Sequence, residues 1–182
     1  KYAGISASLV AHIKNTRTPF SIDFGVGDVI VPKQEKRKIP TQLNDFSSPM
    51  INTYSLETTI AEKIDAILSL MEFSSRMKDY YDIYYLANKF DFDGKILVDA
   101  LKRTFANREH NFTVEQFEQV MSFDADDLMQ RKWKAFIKKI DAKTDDFSKV
   151  INTIDDFLRF PIETALNGTN FLMQWKASSN IW

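Results

Sequence analysis

The hydrophobic period of this chain changes at residue 55. Before it, apolar residues recur at every second position: Ile5, Ala7, Leu9, Ala11 and Ile13 against Ser6, Ser8 and His12, then Phe20, Ile22 and Phe24 against Ser21 and Asp23. This alternation predicts half-buried strands over Tyr2 to Ile13 and Phe20 to Phe24, an antiparallel pair joined by a turn over Asn15–Pro19. Gly25-Val26-Gly27-Asp28 stops the second strand, with Val29–Val31 as a brief continuation. Residues 33–54, which contain Pro40 and Pro49, read as loop with a short strand at Met50–Tyr54. After residue 55 the apolar spacing becomes three and four, and helices are predicted near 56–73, 77–89, 94–107, 113–121, 125–142 and 146–160, where Pro161 either stops the last or starts a new turn. The chain therefore reads as α+β, with a β-containing lobe over 1–54 and a larger α-helical bundle over 55–182.

The 182 residues suffice for one ordinary domain or two small lobes. Fifteen Phe, six Tyr and three Trp supply a core that needs no disulfides. The absence of Cys excludes a disulfide scaffold, a thiolate metal site and a Cys nucleophile. No apolar run approaches the ~20 residues that span a bilayer, and no signal peptide is visible, so a cytoplasmic protein is expected. The chain opens at Lys1 directly in strand-like sequence, which leads us to expect an upstream portion. A sheet of two or three strands would also leave an unpaired edge calling for a partner strand.

Net charge is −1, which argues against global attraction to nucleic acid. Residues 1–40 are locally basic, with seven cations against Asp23, Asp28 and Glu35. Within them, Lys33 to Lys38 reads as a solvated loop. Gly25-Val26-Gly27 is too short for a phosphate-cradling loop, and His12 and His110 are far apart in sequence, which disfavours a His pair or His metal site.

Carboxylates, Lys and Arg are left to carry chemistry. Lys63 lies three residues after Ile60 and four before Ile67, on the flank of the stripe Leu56, Ile60, Ile64, Ile67, Leu68 and Met71, while Glu62, Asp65 and Ser69 are assigned to the solvent side. A lysine there either snorkels to water or reaches an anion. Asp79 and Asp82 share a helix face at i, i+3, and Lys78–Asp82 at i, i+4 is by spacing a surface ion pair. Asp23, before a Gly-x-Gly turn, reads on its own as an exposed strand residue. Tyr80, Tyr81, Tyr84 and Tyr85 read as packing residues.

Together these segments resemble a known family. Tyr2-x-Gly4, Ile22-Asp23-Phe24-Gly25-Val26-Gly27-Asp28, Tyr54-Ser55-Leu56-Glu57-Thr58-Thr59-Ile60-Ala61-Glu62-Lys63-Ile64-x-Ala66, Ser75-Arg76-Met77-Lys78-Asp79-Tyr80-Tyr81-Asp82-Ile83 and Thr104-Phe105-x-x-Arg108 resemble, in order and spacing, the AbiEii/AbiGii-like abortive-infection nucleotidyltransferase toxins. The resemblance runs from residue 1 to about 110. It implies part of a nucleotidyltransferase-type sheet followed by a helical lobe, and a bacterial toxin–antitoxin or phage-defence role. It also implies a nucleoside triphosphate with Mg²⁺ as cofactor, nucleotide transfer to RNA (tRNA in some members), and an antitoxin partner. By resemblance Lys63 holds triphosphate, Arg76 assists nucleotide binding, Asp79 or Asp82 is catalytic, and Asp23 is a metal ligand. The family's Gly-Gly/Ser turn and Asp-x-Asp strand do not occur in the 182 residues, so the chain alone is expected to be incomplete for catalysis. A non-catalytic module that binds an antitoxin is the alternative.

Overall fold

The computed structural model describes residues 4–73 and 76–182. Tyr2, Ser74 and Ser75, which contribute to the patterns above, lie outside the described residues.

Two ten-residue strands, β1 (Gly4–Ile13) and β2 (Thr16–Gly25), form an antiparallel hairpin with Gly4 opposite Gly25 and Ile13 opposite Thr16. Its turn is Lys14-Asn15, tighter than the Asn15–Pro19 turn predicted, with Lys14 in the left-handed region at φ 52°. Two-residue hairpin turns favour such positive φ values because they match strand twist. Pro19 does not break the ladder; it sits opposite Val10. The predicted half-burial is not met among the described residues. Ile5 and Ile13 are each 72% exposed and Phe24 52%, since the two strands pack chiefly on each other.

The segment read as a solvated basic loop is instead half of a short ribbon. Strand β3 (Glu35–Lys38) pairs antiparallel with β4 (Met50–Thr53), and Arg37 bonds Glu35 two residues earlier on the same strand.

The helical part begins where the period changes. Helix α1 (Leu56–Leu70) is capped by Ser55, whose Oγ accepts from the Thr58 amide at 3.1 Å. This cap is also a clamp. Ser55 Oγ donates to the Val31 carbonyl, Thr58 Oγ1 donates to the same oxygen at 3.0 Å, and the Val31 amide donates to Thr58 Oγ1 at 2.8 Å. All of these polar atoms are buried, so each is satisfied. A 3₁₀ turn at Met71–Phe73 leads towards α2 (Met77–Lys89). Asp93 caps α3 (Gly94–Asn107), Thr113 and Gln116 form a capping box on α4 (Val114–Met121), and Asp126 caps α5 (Asp127–Ile140).

Helix α6 (Phe147–Asn167) runs through Pro161, six residues past the predicted stop, and ends at Gly168 in the left-handed conformation. Pro161 has no amide to donate to the Phe157 carbonyl, four residues back. The indole of Trp182 replaces it, donating to that carbonyl at 2.9 Å. Helices α1, α2 and α3 pack around one core with α6: Ile60, Ile64, Tyr80, Leu101, Phe117 and Phe157 are wholly buried. The chain end joins this core. Strand β6 (Gln174–Trp175) pairs with β5 (Phe92–Asp93), and buried Trp175 donates to the Ala87 carbonyl at 2.7 Å.

Candidate functional site

Helices α1 and α2 meet at a cluster of five charged side chains. Lys63 leaves the flank of the α1 stripe and lies against α2, with Nζ 3.1 Å from Asp79 Oδ1 and 2.5 Å from Asp82 Oδ2. It does not snorkel, because its side chain is only 18% exposed. Asp79 and Asp82, at i, i+3 on α2, present their carboxylates to the same ammonium. Arg76 Nε approaches Asp79 Oδ2 at 2.7 Å, and Lys78 Nζ reaches Asp82 Oδ2 at 2.5 Å. Asp79 is 4% exposed, and its Oδ2 receives no aligned hydrogen bond among the described residues despite Arg76. A buried carboxylate oxygen in that state is costly to keep and is a common property of functional sites. Three cations on two carboxylates leave the cluster with one net positive charge. Behind it, the Tyr80 hydroxyl is also buried without a hydrogen-bond partner among the described residues, and burial, with the Asp79 charge, raises its pKa well above the ordinary tyrosine range.

A second cluster occupies the opposite flank of α1, where the sequence placed solvent. Asp65 is fully buried, not exposed. Its Oδ2 accepts from Arg108 Nη1 at 2.5 Å, and its Oδ1 lies 2.8 Å from His110 Nδ1. Arg108 also pairs with Glu62, and Ser69 Oγ lies 3.3 Å from the same His110 nitrogen. Burial pushes the Asp65 carboxyl up, and the contact with His110 pulls it back. Ser69, His110 and Asp65 do not form a nucleophilic triad. Serine and carboxylate share one ring nitrogen, whereas a relay needs one on each. Sequence reasoning missed this cluster. The available signal was that Asp65 lies three residues before Leu68, next to the buried stripe on its other side.

The two clusters meet at Arg76. A cleft of about 630 Å³ is lined by Gly27, Asp65, Ser69, Arg76, Asn107 and Arg108. Asn107 Nδ2 donates to the Gly27 carbonyl at 2.8 Å, tying the end of α3 to the loop after β2. Asp23 stands apart on exposed β2, opposite Ser6.

The carboxylates do not make a metal cage by themselves. Among the described residues no group of three or more His, Asp or Glu side chains converges as Mg²⁺ ligation would require, and the Asp79 and Asp82 oxygens face ammonium and guanidinium groups. No helix of the described residues is long and apolar enough to cross a membrane.

No curated protein and no solved structure matches the chain significantly. A family model does: nucleotidyl transferase AbiEii toxin, Type IV TA system, over residues 1–159, which takes in both clusters and every helix up to most of α6. The chain belongs to the AbiEii nucleotidyl transferase toxin family.

Proposed function

We propose that this protein moves a nucleoside monophosphate from a nucleoside triphosphate to a hydroxyl of RNA, with tRNA as the acceptor class. We further propose that it acts as a cytoplasmic toxin held in check by an antitoxin, in phage defence. The observation that carries the reading is the cluster of Lys63, Arg76 and Lys78 on Asp79 and Asp82, which has one positive charge in surplus. In this reading residues 1–54 and 55–182 act as two lobes, with the cluster at the head of the helical one.

In nucleotidyl transfer the acceptor oxygen bonds to the α-phosphorus, the bond from that phosphorus to the bridging oxygen breaks, and pyrophosphate leaves. Charge builds on the phosphate oxygens, and fixed cations lower the barrier. Lys63 and Arg76 supply that charge, exchanging carboxylate for phosphate when nucleotide binds. Asp79 loses its ammonium partner in this exchange and takes up the proton released by the acceptor hydroxyl; Asp82 holds Lys78 and keeps α2 in register. In the family a divalent metal supplies further neutralisation of triphosphate. The residues described here do not fit one unaided, and Asp23 is the only strand carboxylate proposed to contribute.

Incorporation of α-labelled nucleotide into RNA tests the reading. Full-length protein that carries an upstream Asp-x-Asp strand is expected to label RNA, and Asp79→Asn and Lys63→Gln in it to lose at least a hundredfold in rate. Equal labelling by wild type and Asp79→Asn rejects the assignment.

A second reading, a non-catalytic module that grips an antitoxin, is favoured by the hairpin. Ile5, Ile13 and Phe24 are more than half exposed on a two-stranded ribbon of ten-residue strands, a surface suited to strand addition. Antitoxin binding that survives loss of all transfer activity, and fails when Ile5 and Ile13 are changed to Ser, separates this role from the first.

A further inference from the structure

Helix α5 carries a second concentration of charge that the site above does not use. From Asp127 to Lys143, Arg131, Lys132, Lys134, Lys138, Lys139 and Lys143 stand against Asp127 and Asp141, an excess of four positives in a chain of net charge −1. Arg131, Lys134 and Lys138 fall at i, i+3 and i+7, so they form one line on the helix. This line lies opposite Met129, Trp133 and Phe136, which turn into the core. All three cations are exposed, and none has an ion pair or hydrogen bond among the described residues. Elsewhere on the surface Arg37, Lys78, Arg103, Lys149 and Lys176 each pair with a carboxylate, while Lys36 and Lys38 of β3 are exposed without an ion pair among the described residues, which makes them a matched control.

The line borders a hollow. Lys134 and Lys138 stand beside a depression of about 400 Å³ that is also lined by Trp133, Ile137, Phe147 and Asp145. Its acids are already engaged. Asp145 accepts from the Tyr84 hydroxyl and from Lys149, and Asp146 caps α6. Trp133 and Phe147 are themselves buried under the depression, so what it offers is cationic side chains over half-buried Ile137. Unpaired cations in a line match the phosphate backbone of a nucleic-acid strand. At 1.5 Å per residue, Arg131 to Lys138 spans ~10 Å, enough to meet about two or three phosphates. A bilayer is a poorer fit, because a membrane-surface helix needs a free apolar face. That face of α5 is packed against Tyr81 through Trp133 and Phe136.

We propose that the outward face of α5 docks RNA through its backbone, with phosphates on Arg131, Lys134 and Lys138. The surface leads towards the charged cluster. Helix α5 packs on α2, and Lys132 Nζ donates to the Glu72 carbonyl, in the 3₁₀ turn before α2, at 3.0 Å. The proposal rests on the nucleotide-transfer reading only for the choice of RNA as the partner.

The test is binding of a fluorescently labelled single-stranded RNA, without nucleotide, followed by anisotropy from 50 to 200 mM salt. Arg131→Gln/Lys134→Gln/Lys138→Gln is compared with Lys36→Gln/Arg37→Gln/Lys38→Gln, which removes the same charge from the β3 ribbon. The α5 variant is expected to keep the wild-type Tm, bind RNA at least tenfold more weakly, and lose about two units from the slope of log affinity against log salt. The β3 variant is expected to bind within twofold of wild type. Equal weakening by both variants, an unchanged affinity and slope in the α5 variant, or tighter wild-type binding to anionic phosphatidylglycerol vesicles than to RNA would overturn it. Because no nucleotide is present, RNA binding through α5 by a protein that transfers nothing leaves this surface standing and removes the transfer reading. Transfer that persists at saturating RNA in the α5 variant does not rescue the surface if binding is unchanged.

Discussion

Lys63 Nζ lies 3.1 Å from Asp79 Oδ1, sixteen residues along the chain and on a different helix, with the carboxylate 4% exposed. The pair ties α1 to α2 in a place where a purely structural helix contact would use two apolar side chains. Removing one partner of such a pair leaves a buried charge. Lys63→Met is therefore expected to cost about 3 kcal/mol in urea unfolding. In a double-mutant cycle with Asp79→Asn, the coupling should exceed ~1 kcal/mol. Additive losses would show that the two side chains do not stabilise one another.

Arg108 is expected to matter as much; the sequence singles it out only through the resemblance of Thr104-Phe105-x-x-Arg108, not through its partners. It serves fully buried Asp65 and partly buried Glu62 together. Arg108→Met should destabilise the protein by about 3 kcal/mol, and adding Asp65→Asn should recover part of the loss. Thermal unfolding of the single and double variants measures both.

The Tyr84–Asp145 contact predicts a pH effect of definite sign. Burial, and then the hydrogen bond to Asp145, push the Tyr84 hydroxyl up to about 12 from its ordinary value of 10. The folded state therefore holds this proton more tightly than the unfolded state. The stabilisation is fully present below pH 10 and is lost as pH rises from 10 towards 12. Tyr84→Phe should flatten the alkaline decline of stability relative to wild type in that window and leave the slope from pH 6 to 8 unchanged. Identical alkaline slopes in the two proteins would contradict the contact.

Gly94 tests the docking of the chain end. A Cβ there would fall 2.3 Å from the Phe171 ring and 2.7 Å from the Met173 carbonyl oxygen. The oxygen is backbone and accepts the Gly94 amide at 2.9 Å, so it cannot swing aside. Gly94→Ala is expected to cost about 1–3 kcal/mol and to raise amide exchange at Gln174 and Trp175.

What the sequence reveals follows the reach of each interaction. The Ser55 cap and the α1 stripe are local, and both are legible from spacing. The hairpin is legible from alternation, whereas its exposure depends on what packs over it. Helix α6 passes Pro161 because Trp182, 25 residues beyond Phe157, supplies the missing donor. No local pattern encodes that contact. Asp65 reads as a solvent residue until Arg108 and His110, 43 and 45 residues away, are brought to it. The spacing of Asp79 and Asp82 reveals a shared face, but only the fold brings Lys63 between them.

The most direct test of the charged cluster as a nucleotide site is calorimetric titration of nucleoside triphosphate, with Mg²⁺ present, into wild-type and Lys63→Gln protein at a temperature where both are folded. The cluster as described predicts that Lys63→Gln binds at least tenfold more weakly, a loss of about 1.4 kcal/mol. Unchanged nucleotide affinity in Lys63→Gln, alongside a lowered Tm, would show that Lys63 only braces α1 against α2.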